Sequence, residues 1–557
     1  MTEENEMSKT VNVKVNAATA GGVQEHLWRY IGYDECNYSY TPEGKELLAK
    51  FGALKDAPYY VRTHFMFCTG NCHGTYKFGS TNIYWEDENG RPVYDFTYYD
   101  RILDAILDSG NKPFIELGFM PKDLADTNYL KPVKGNWDSY NQYKDTGWTC
   151  PPKDYDKWHE FIKTVAEHLT ERYGEEEIAA WYFELWNEPD IFYWNGTAAE
   201  YCRLYDYTEH ALHGAAKRAR LSGPAVTGIF EGGHAQKFMR FFLDHCRRGA
   251  NYCTQEKGTR LDFITFHAKG GGFPFQMHAP KENPSVESLI HQVKLGLDII
   301  KEYGYQDREV VLSEADPDGW AAGGVYDNAN MIFRNTEYYA SYVASSYAEI
   351  DRLSAEYGMK VRPLAWAFLF PGERCFEGTR TFTTQGIDKA VFNLFKIYGM
   401  LGNEKLGFEC DKAKRPDPQK VQKTSRYTGE GEETWVTGFA VRGNGGEIQT
   451  VIASHHNDRD HREINRITLE VDGLKDGEYA VEHYRIDVEH SNPYAEWVRQ
   501  GCPLFPEGEQ YEAIKKRDGL EKLCPDSVMQ AADGRAALEF DMPAHGVSCL
   551  VFRRNDN

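Results

Sequence analysis

The sequence predicts an α/β protein, a (β/α)8 TIM barrel followed by a C-terminal β-sandwich. Three observations carry that prediction. Short apolar runs alternate with helix-like segments through the first 400 or so residues. Two of those runs end in a glutamate followed closely by a proline. Beyond residue 405 the texture changes to alternating strand patterns bounded by turns. With 557 residues the chain is too long for one compact core, so a large and a smaller domain are expected.

The strand candidates are His26–Tyr33, Val61–Phe67, Pro113–Phe119, Trp181–Trp186, Ala225–Phe230, Leu261–His267, Val310–Ser313 and Leu364–Phe370. Helical patterning falls between them at Pro42–Leu54, Tyr98–Ser109, Tyr155–Tyr173, Ala198–Arg220, Gln236–Arg248, Ser285–Tyr303 and Asn328–Tyr357, and Gly386–Leu401 would close the ring. The barrel is therefore placed at residues 20–404. Lys412–Arg426 reads as a polar, basic connector. Residues 405–557 form the sandwich, with strands at Thr434–Val441, Glu447–Ser454, Glu463–Val471, Tyr479–Ile486, Ala537–Asp541 and Ser548–Arg553. Within residues 1–19, Val11–Val15 alternates in the same way and is expected to add a strand to that sandwich.

Composition narrows the partners. A net charge of -22 argues against nucleic acid or an anionic membrane surface. No apolar run approaches the length of a transmembrane span, and Met1–Thr10 lacks the apolar stretch of a secretory signal. The twelve cysteines are scattered, with Cys68 and Cys72 the closest pair, so they read as mostly buried thiols of a cytoplasmic protein. If a leader had been trimmed, the protein would be secreted. The sandwich is expected to stiffen the barrel rim and to offer contacts for a homo-oligomer.

The chemistry points to Trp181-Tyr-Phe-Glu-Leu-Trp-Asn-Glu-Pro-Asp190 and Val310-Val-Leu-Ser-Glu-Ala-Asp-Pro317. Proline ends a central strand, so Glu188 and Glu314 are expected at the C-terminal ends of the fourth and seventh strands, where parallel α/β folds place their sites. Across a barrel mouth such a pair suits glycoside hydrolysis, one carboxylic acid protonating the leaving oxygen and one carboxylate attacking the anomeric carbon. Glu184, deeper in its run, reads as a structural carboxylate. Asn187 is placed to bond a sugar hydroxyl. His64 and His267 are candidate hydroxyl ligands, and Trp320 and Trp366 candidate walls. Metal and cofactor chemistry finds no motif: there is no H-E-x-x-H, no phosphate loop and no G-x-S-x-G.

The Asn187-Glu188-Pro189 triplet with a second glutamate on the seventh run resembles the retaining barrel glycosidases. The segments Leu27-Trp28-Arg29, Val61-Arg62-Thr63-His64, Leu261 to Gly270, Ser313-Glu314-Ala315-Asp316-Pro317 and Tyr484-Arg485-Ile486-Asp487 are similar to glycoside hydrolase family 39, the β-xylosidases and α-L-iduronidases. The resemblance implies Glu188 as acid/base, Glu314 as nucleophile and a glycosyl-enzyme intermediate. Within the family the signals divide. Glu314-Ala-Asp-Pro317 and Lys269 look like the iduronidase branch, where the lysine helps hold the uronate carboxylate. Phe376-Glu377-Gly378-Thr379-Arg380-Thr381 and Gly386-Ile387-Asp388-Lys389 look like the xylosidase branch, which makes Glu377 a candidate substrate-binding residue. Asp34 and Glu35 suit the hydroxyls of a neutral sugar. The expected substrate is thus an oligosaccharide chain end giving up β-D-xylose. An α-L-arabinofuranosidase stands second and an α-L-iduronidase third, and the non-enzymatic rival is a carbohydrate-binding barrel.

Overall fold

A computed structural model describes residues 9–72, 79–131, 145–271, 283–319, 324–368, 370–413 and 433–555. Two parallel sheets form the first part of the chain. One runs in the order Ala365–Trp366, Tyr30–Glu35, Tyr60–His64, Lys112–Leu117, Tyr182–Leu185, Leu221–Ser222; the other runs Val361–Pro363, Glu309–Asp316, Phe263–Lys269, Pro224–Val226. Gly223 alone separates Leu221–Ser222 from Pro224–Val226, and Leu364 alone separates Val361–Pro363 from Ala365–Trp366. Each sheet thus runs on into the other, and the result is a curled α/β sheet. Pro224 has no N–H for a ladder bond, which accounts for the first break.

Helices alternate with these strands, and their ends are written locally. Asp154 caps Tyr155–Tyr173, and Thr197 with Glu200 forms a capping box on Ala198–Ala215. The expected single helix Asn328–Tyr357 is two elements, a 3-10 turn at Ala329–Asn335 and a helix at Glu337–Tyr357. Thr336 divides them by accepting the Tyr338 N–H. The fifth strand also differs from expectation, lying at 221–226 rather than Ala225–Phe230. Asp190 pulls the backbone out of the ladder there, accepting from the Thr227 N–H at 2.9 Å and from its hydroxyl at 2.5 Å.

The second part is one ten-stranded, largely antiparallel sheet. Lys9–Val23 lies inside it, antiparallel to Glu404–Cys410 and parallel to Ile464–Asp472. Val11, Val13 and Val15 point inward and share an apolar core with Ile467, Leu469, Val471, Leu550 and Phe552. A strip of this region packs on the helix Glu337–Tyr357: Trp435, Phe439 and Val451 belong to the same core as the parallel sheet. Ser341 Oγ meets His455 Nδ1 at 2.9 Å across that seam. Most of the Lys412–Arg426 connector lies outside the described residues. All twelve cysteines are free thiols, and no described helix is long and apolar enough to cross a membrane.

Candidate active site

The site stands at the C-terminal ends of the parallel strands. Tyr182–Leu185 stops at Leu185, and the chain then turns sharply, with Trp186 at φ 67° and Glu188 at φ 47°. A non-glycine residue in the left-handed region is held there by its surroundings, and such strain gathers at functional sites. The Glu188 N–H bonds the Ala225 carbonyl at 2.9 Å, and the buried Trp186 indole donates to Tyr193 O at 2.9 Å, pinning the turn from both sides. Glu188 therefore presents a half-buried carboxylate, its side chain 16% exposed.

Glu314 is set differently. Its strand continues through Asp316 rather than ending at Ser313, because Phe263–Lys269 pairs along it, His267 opposite Glu314 and Lys269 opposite Asp316. His267 bridges the two glutamates: its Nδ1 lies 2.9 Å from Glu188 and 3.6 Å from Glu314. One carboxylate oxygen of each glutamate and one nitrogen of His267 fall within 4.8 Å of one another. Lys269 Nζ donates to Glu314 at 2.7 Å and to Asp316 at 3.0 Å, and sits 3.8 Å from the centre of the Trp366 ring.

Arg62 is the buried hub beneath. Its guanidinium donates to Glu184 at 2.6 Å, to Asn187 Oδ1 at 3.0 Å and to Glu314 at 3.4 Å, and it contacts His64. His64 also lies 3.3 Å from Glu116 and 3.6 Å from Asp34. Asp34 pairs with Arg380 at 2.9 Å, and Arg380 stacks over Trp366. Burial disfavours the charged form of each acid here. For Glu314 burial is outweighed by His267, Lys269, Arg62 and His64, which hold the carboxyl well below its usual range. Burial, together with Arg62, drives His64 itself well below the usual histidine range. For Asp34 burial and the negative charge of Glu314 win over Arg380 and Arg62, raising it to about 7. Glu116 is likewise pushed well above its usual range, first by burial.

Most residues singled out in the sequence meet here: Asp34, His64, Asn187, Glu188, His267, Lys269, Glu314 and Trp366. Glu35 is buried on the same strand as Asp34, opposite His64 in the ladder. Trp320 lies outside the described residues. Glu377 does not join the cluster. Arg374, three residues earlier, grips both its oxygens at 2.6 and 3.0 Å, and that pair also draws its carboxyl below the usual range. Lys389 is buried too, bonded to Gly378 O at 2.7 Å, and burial lowers it to about 7. Arg62, Glu116 and Asp316 were not foreseen as site residues. The signal was present: Arg62, Glu116 and Glu184 put one charge in each of three successive apolar strands, and buried charges must be paired.

Asp34, His64 and Glu314 form a second triplet whose donor atoms lie within 4.8 Å, so both triplets have the spacing to hold a metal. Arg62 and Lys269 already engage the oxygens of Glu314, however, and a metal would have to displace them.

Two carboxylates stand together at the strand ends, one embedded among cations and one partly exposed, an arrangement of the kind glycoside hydrolysis uses. Comparison with known proteins gives the family. The chain matches the model of Glycosyl hydrolases family 39 over residues 11–534, and it belongs to that family and is a glycosidase. Curated relatives include a β-xylosidase of Caldicellulosiruptor saccharolyticus, 26% identical over 79% of this chain and 80% of the relative. A β-xylosidase of Geobacillus stearothermophilus is 30% identical over 58% of this chain and 59% of that one. An α-L-iduronidase of Mus musculus is 24% identical over 81% of this chain and 67% of its own length. Among solved structures, a monomeric β-xylosidase from Caulobacter crescentus CB15 shares the fold, with a TM-score of 0.74 at 20% identity, covering 98% of this chain and 100% of that one.

Proposed function

We propose that the protein is a retaining, exo-acting β-D-xylosidase, with Glu314 as nucleophile and Glu188 as acid/base. The carrying observation is the carboxylate pair itself. Oxygens of Glu188 and Glu314 within 4.8 Å of each other suit direct attack on the anomeric carbon, where carboxyls stand about 5–5.5 Å apart, rather than the wider gap that admits a water. His267, Lys269 and Arg62 hold the Glu314 carboxyl well below its usual range, which keeps it anionic and ready to attack. Glu188, with His267 on one oxygen, protonates the leaving oxygen and then, as the carboxylate, deprotonates the water that releases the sugar. Asn187, oriented by Arg62, supplies a hydrogen bond to the reacting sugar.

Two observations favour a neutral sugar. Lys269 is engaged by Glu314, Asp316 and Trp366, and Arg380 by Asp34, so neither cation is left over to pair a uronate. Asp34, raised to about 7, offers both a donor and an acceptor to hydroxyls. In this reading residues 20–404 close into a single (β/α)8 barrel, its two sheets being arcs of one ring. Residues 405–557, with Lys9–Val23, fold as the accessory sandwich. The substrate is an oligosaccharide end met in the cytoplasm.

The test is hydrolysis of aryl β-D-xyloside, α-L-arabinofuranoside, α-L-arabinopyranoside and α-L-iduronide. A kcat/KM at least about tenfold higher on the xyloside supports the reading. A preference for the iduronide would overturn it and make Lys269 a carboxylate ligand.

A further inference from the structure

Away from the carboxylate cluster, two packed helices and a loop bring three soft metal-binding groups together. His159 lies on the helix Tyr155–Tyr173, His210 on the helix Ala198–Ala215, and Cys253 on the turn after the helix His234–Arg248. His159 Nε2 and His210 Nδ1 are 2.8 Å apart, and one donor atom from each of the three residues falls within 4.8 Å of the others. None of the three belongs to the glycosidase site. We propose that His159, His210 and Cys253 form a zinc-binding site that ties the two helices to the 249–258 loop.

The surroundings are built for it. Metal-binding histidines usually present their second ring nitrogen to a carboxylate, which fixes the tautomer. His159 does so: its Nδ1 lies 3.3 Å from Glu160 Oε1, leaving the Nε2 lone pair aimed at His210. Cys253 is set by Asn251, whose side-chain oxygen accepts the Cys253 and Thr254 N–H groups at 2.8 and 2.9 Å. Tetrahedral zinc, with bonds of about 2.0–2.3 Å, puts its ligand atoms about 3.3–3.8 Å apart, a spacing that small rotations of these side chains reach. The fourth position falls to water or to Asp156, one turn before His159 on the same helix. The site's field is acidic, since Asp206, Asp156 and Glu209 all face Cys253. Burial, and then those charges, raise the thiol, so zinc displaces its proton on binding: Zn²⁺ plus the thiol gives the zinc thiolate and H⁺. The hydrogen shared by the two imidazoles moves to an outward-facing nitrogen.

The experiment uses the full chain stripped with a chelator, titrated with Co²⁺ by absorption and with Zn²⁺ by calorimetry. The expected result is one Co²⁺ per chain with a thiolate-to-cobalt charge-transfer band, and a Tm raised by a few degrees on adding Zn²⁺. Cys253→Ser removes the band. His210→Ala and His159→Ala weaken Zn²⁺ binding at least about tenfold, and Glu160→Gln weakens it less. Cys502→Ser with Cys524→Ser, the two exposed thiols elsewhere, leaves the band intact. Xylosidase-type activity serves as the folding control for each variant. Absence of the band, or a band that survives Cys253→Ser, overturns the site and leaves the two histidines as a hydrogen-bonded pair.

Discussion

Glu188 and Glu314 are the same side chain, one from each of the two parallel sheets, and their settings could hardly differ more. Glu314 is 6% exposed and sits inside a strand, with Lys269 and Arg62 on its two oxygens. Glu188 sits past the end of its strand at a positive φ, is 16% exposed, and has His267 on one oxygen. The contrast teaches that position relative to a strand end sets the chemistry. Inside the strand, register delivers partners from the adjacent strand, as Lys269 and His267 come from Phe263–Lys269. Beyond the end, the turn trades partners for access, which the acid/base role proposed for Glu188 requires, since such a group must meet both leaving group and water.

The largest expected effect breaks the charged side of that pair. Glu314→Ala should lower kcat by at least about 10⁴-fold and abolish covalent labelling by a 2-fluoro glycoside; labelling that persisted would move the nucleophile elsewhere. Glu188→Ala should cost about 10²–10⁴-fold on substrates with poor leaving groups and much less on activated aryl glycosides, with azide restoring turnover as the glycosyl azide. Equal losses on both kinds of substrate would remove it from the acid role. Arg62→Met tests the hub. It strands Glu184 and Glu116 without their cation, so unfolding in denaturant should show a loss of about 3–5 kcal/mol.

Lys269→Met sharpens the comparison through pH. As the proposed nucleophile Glu314 must be ionised to attack, and its carboxyl is held low by His267, Lys269 and Arg62. Removing Lys269 raises it, so the acid limb of the kcat/KM profile should move to higher pH, with a loss of about tenfold or more at pH 5 that narrows by pH 8. The stability linkage has the same sign. A depressed carboxyl contributes fully above its unfolded value of about 4.3, and the contribution is lost as pH falls through the folded value. The variant should therefore unfold at a higher pH on acid titration. The smallest effect is Glu377→Gln: paired with Arg374 rather than with the cluster, it should change kcat/KM by less than about threefold.

Much of this was legible in the chain. Asn187-Glu188-Pro189 and Glu314-Ala-Asp-Pro317 announced where two carboxylates would come together, because proline after an apolar run forces a strand to stop. Alternation in Val11–Val15 announced a strand, though not that it would run from Lys9 to Val23 between two distant partners. The fifth strand was misplaced downstream because Thr227 looks strand-like until Asp190 captures its backbone. Glu377 was drawn into the site by a local pattern that cannot report Arg374 closing over it.

The sequence by itself determined the alternation of strands and helices, the two glutamates and the antiparallel C-terminal region, since periodicity and proline act within a few residues. Only the tertiary structure decided which glutamate is embedded in cations, that Lys269 is engaged rather than available, and that Arg62 joins Glu184, Asn187, His64 and Glu314. Those relations cross between strands as much as 252 positions apart. Ladder register and desolvation set them, and neither is written in any local stretch of the chain.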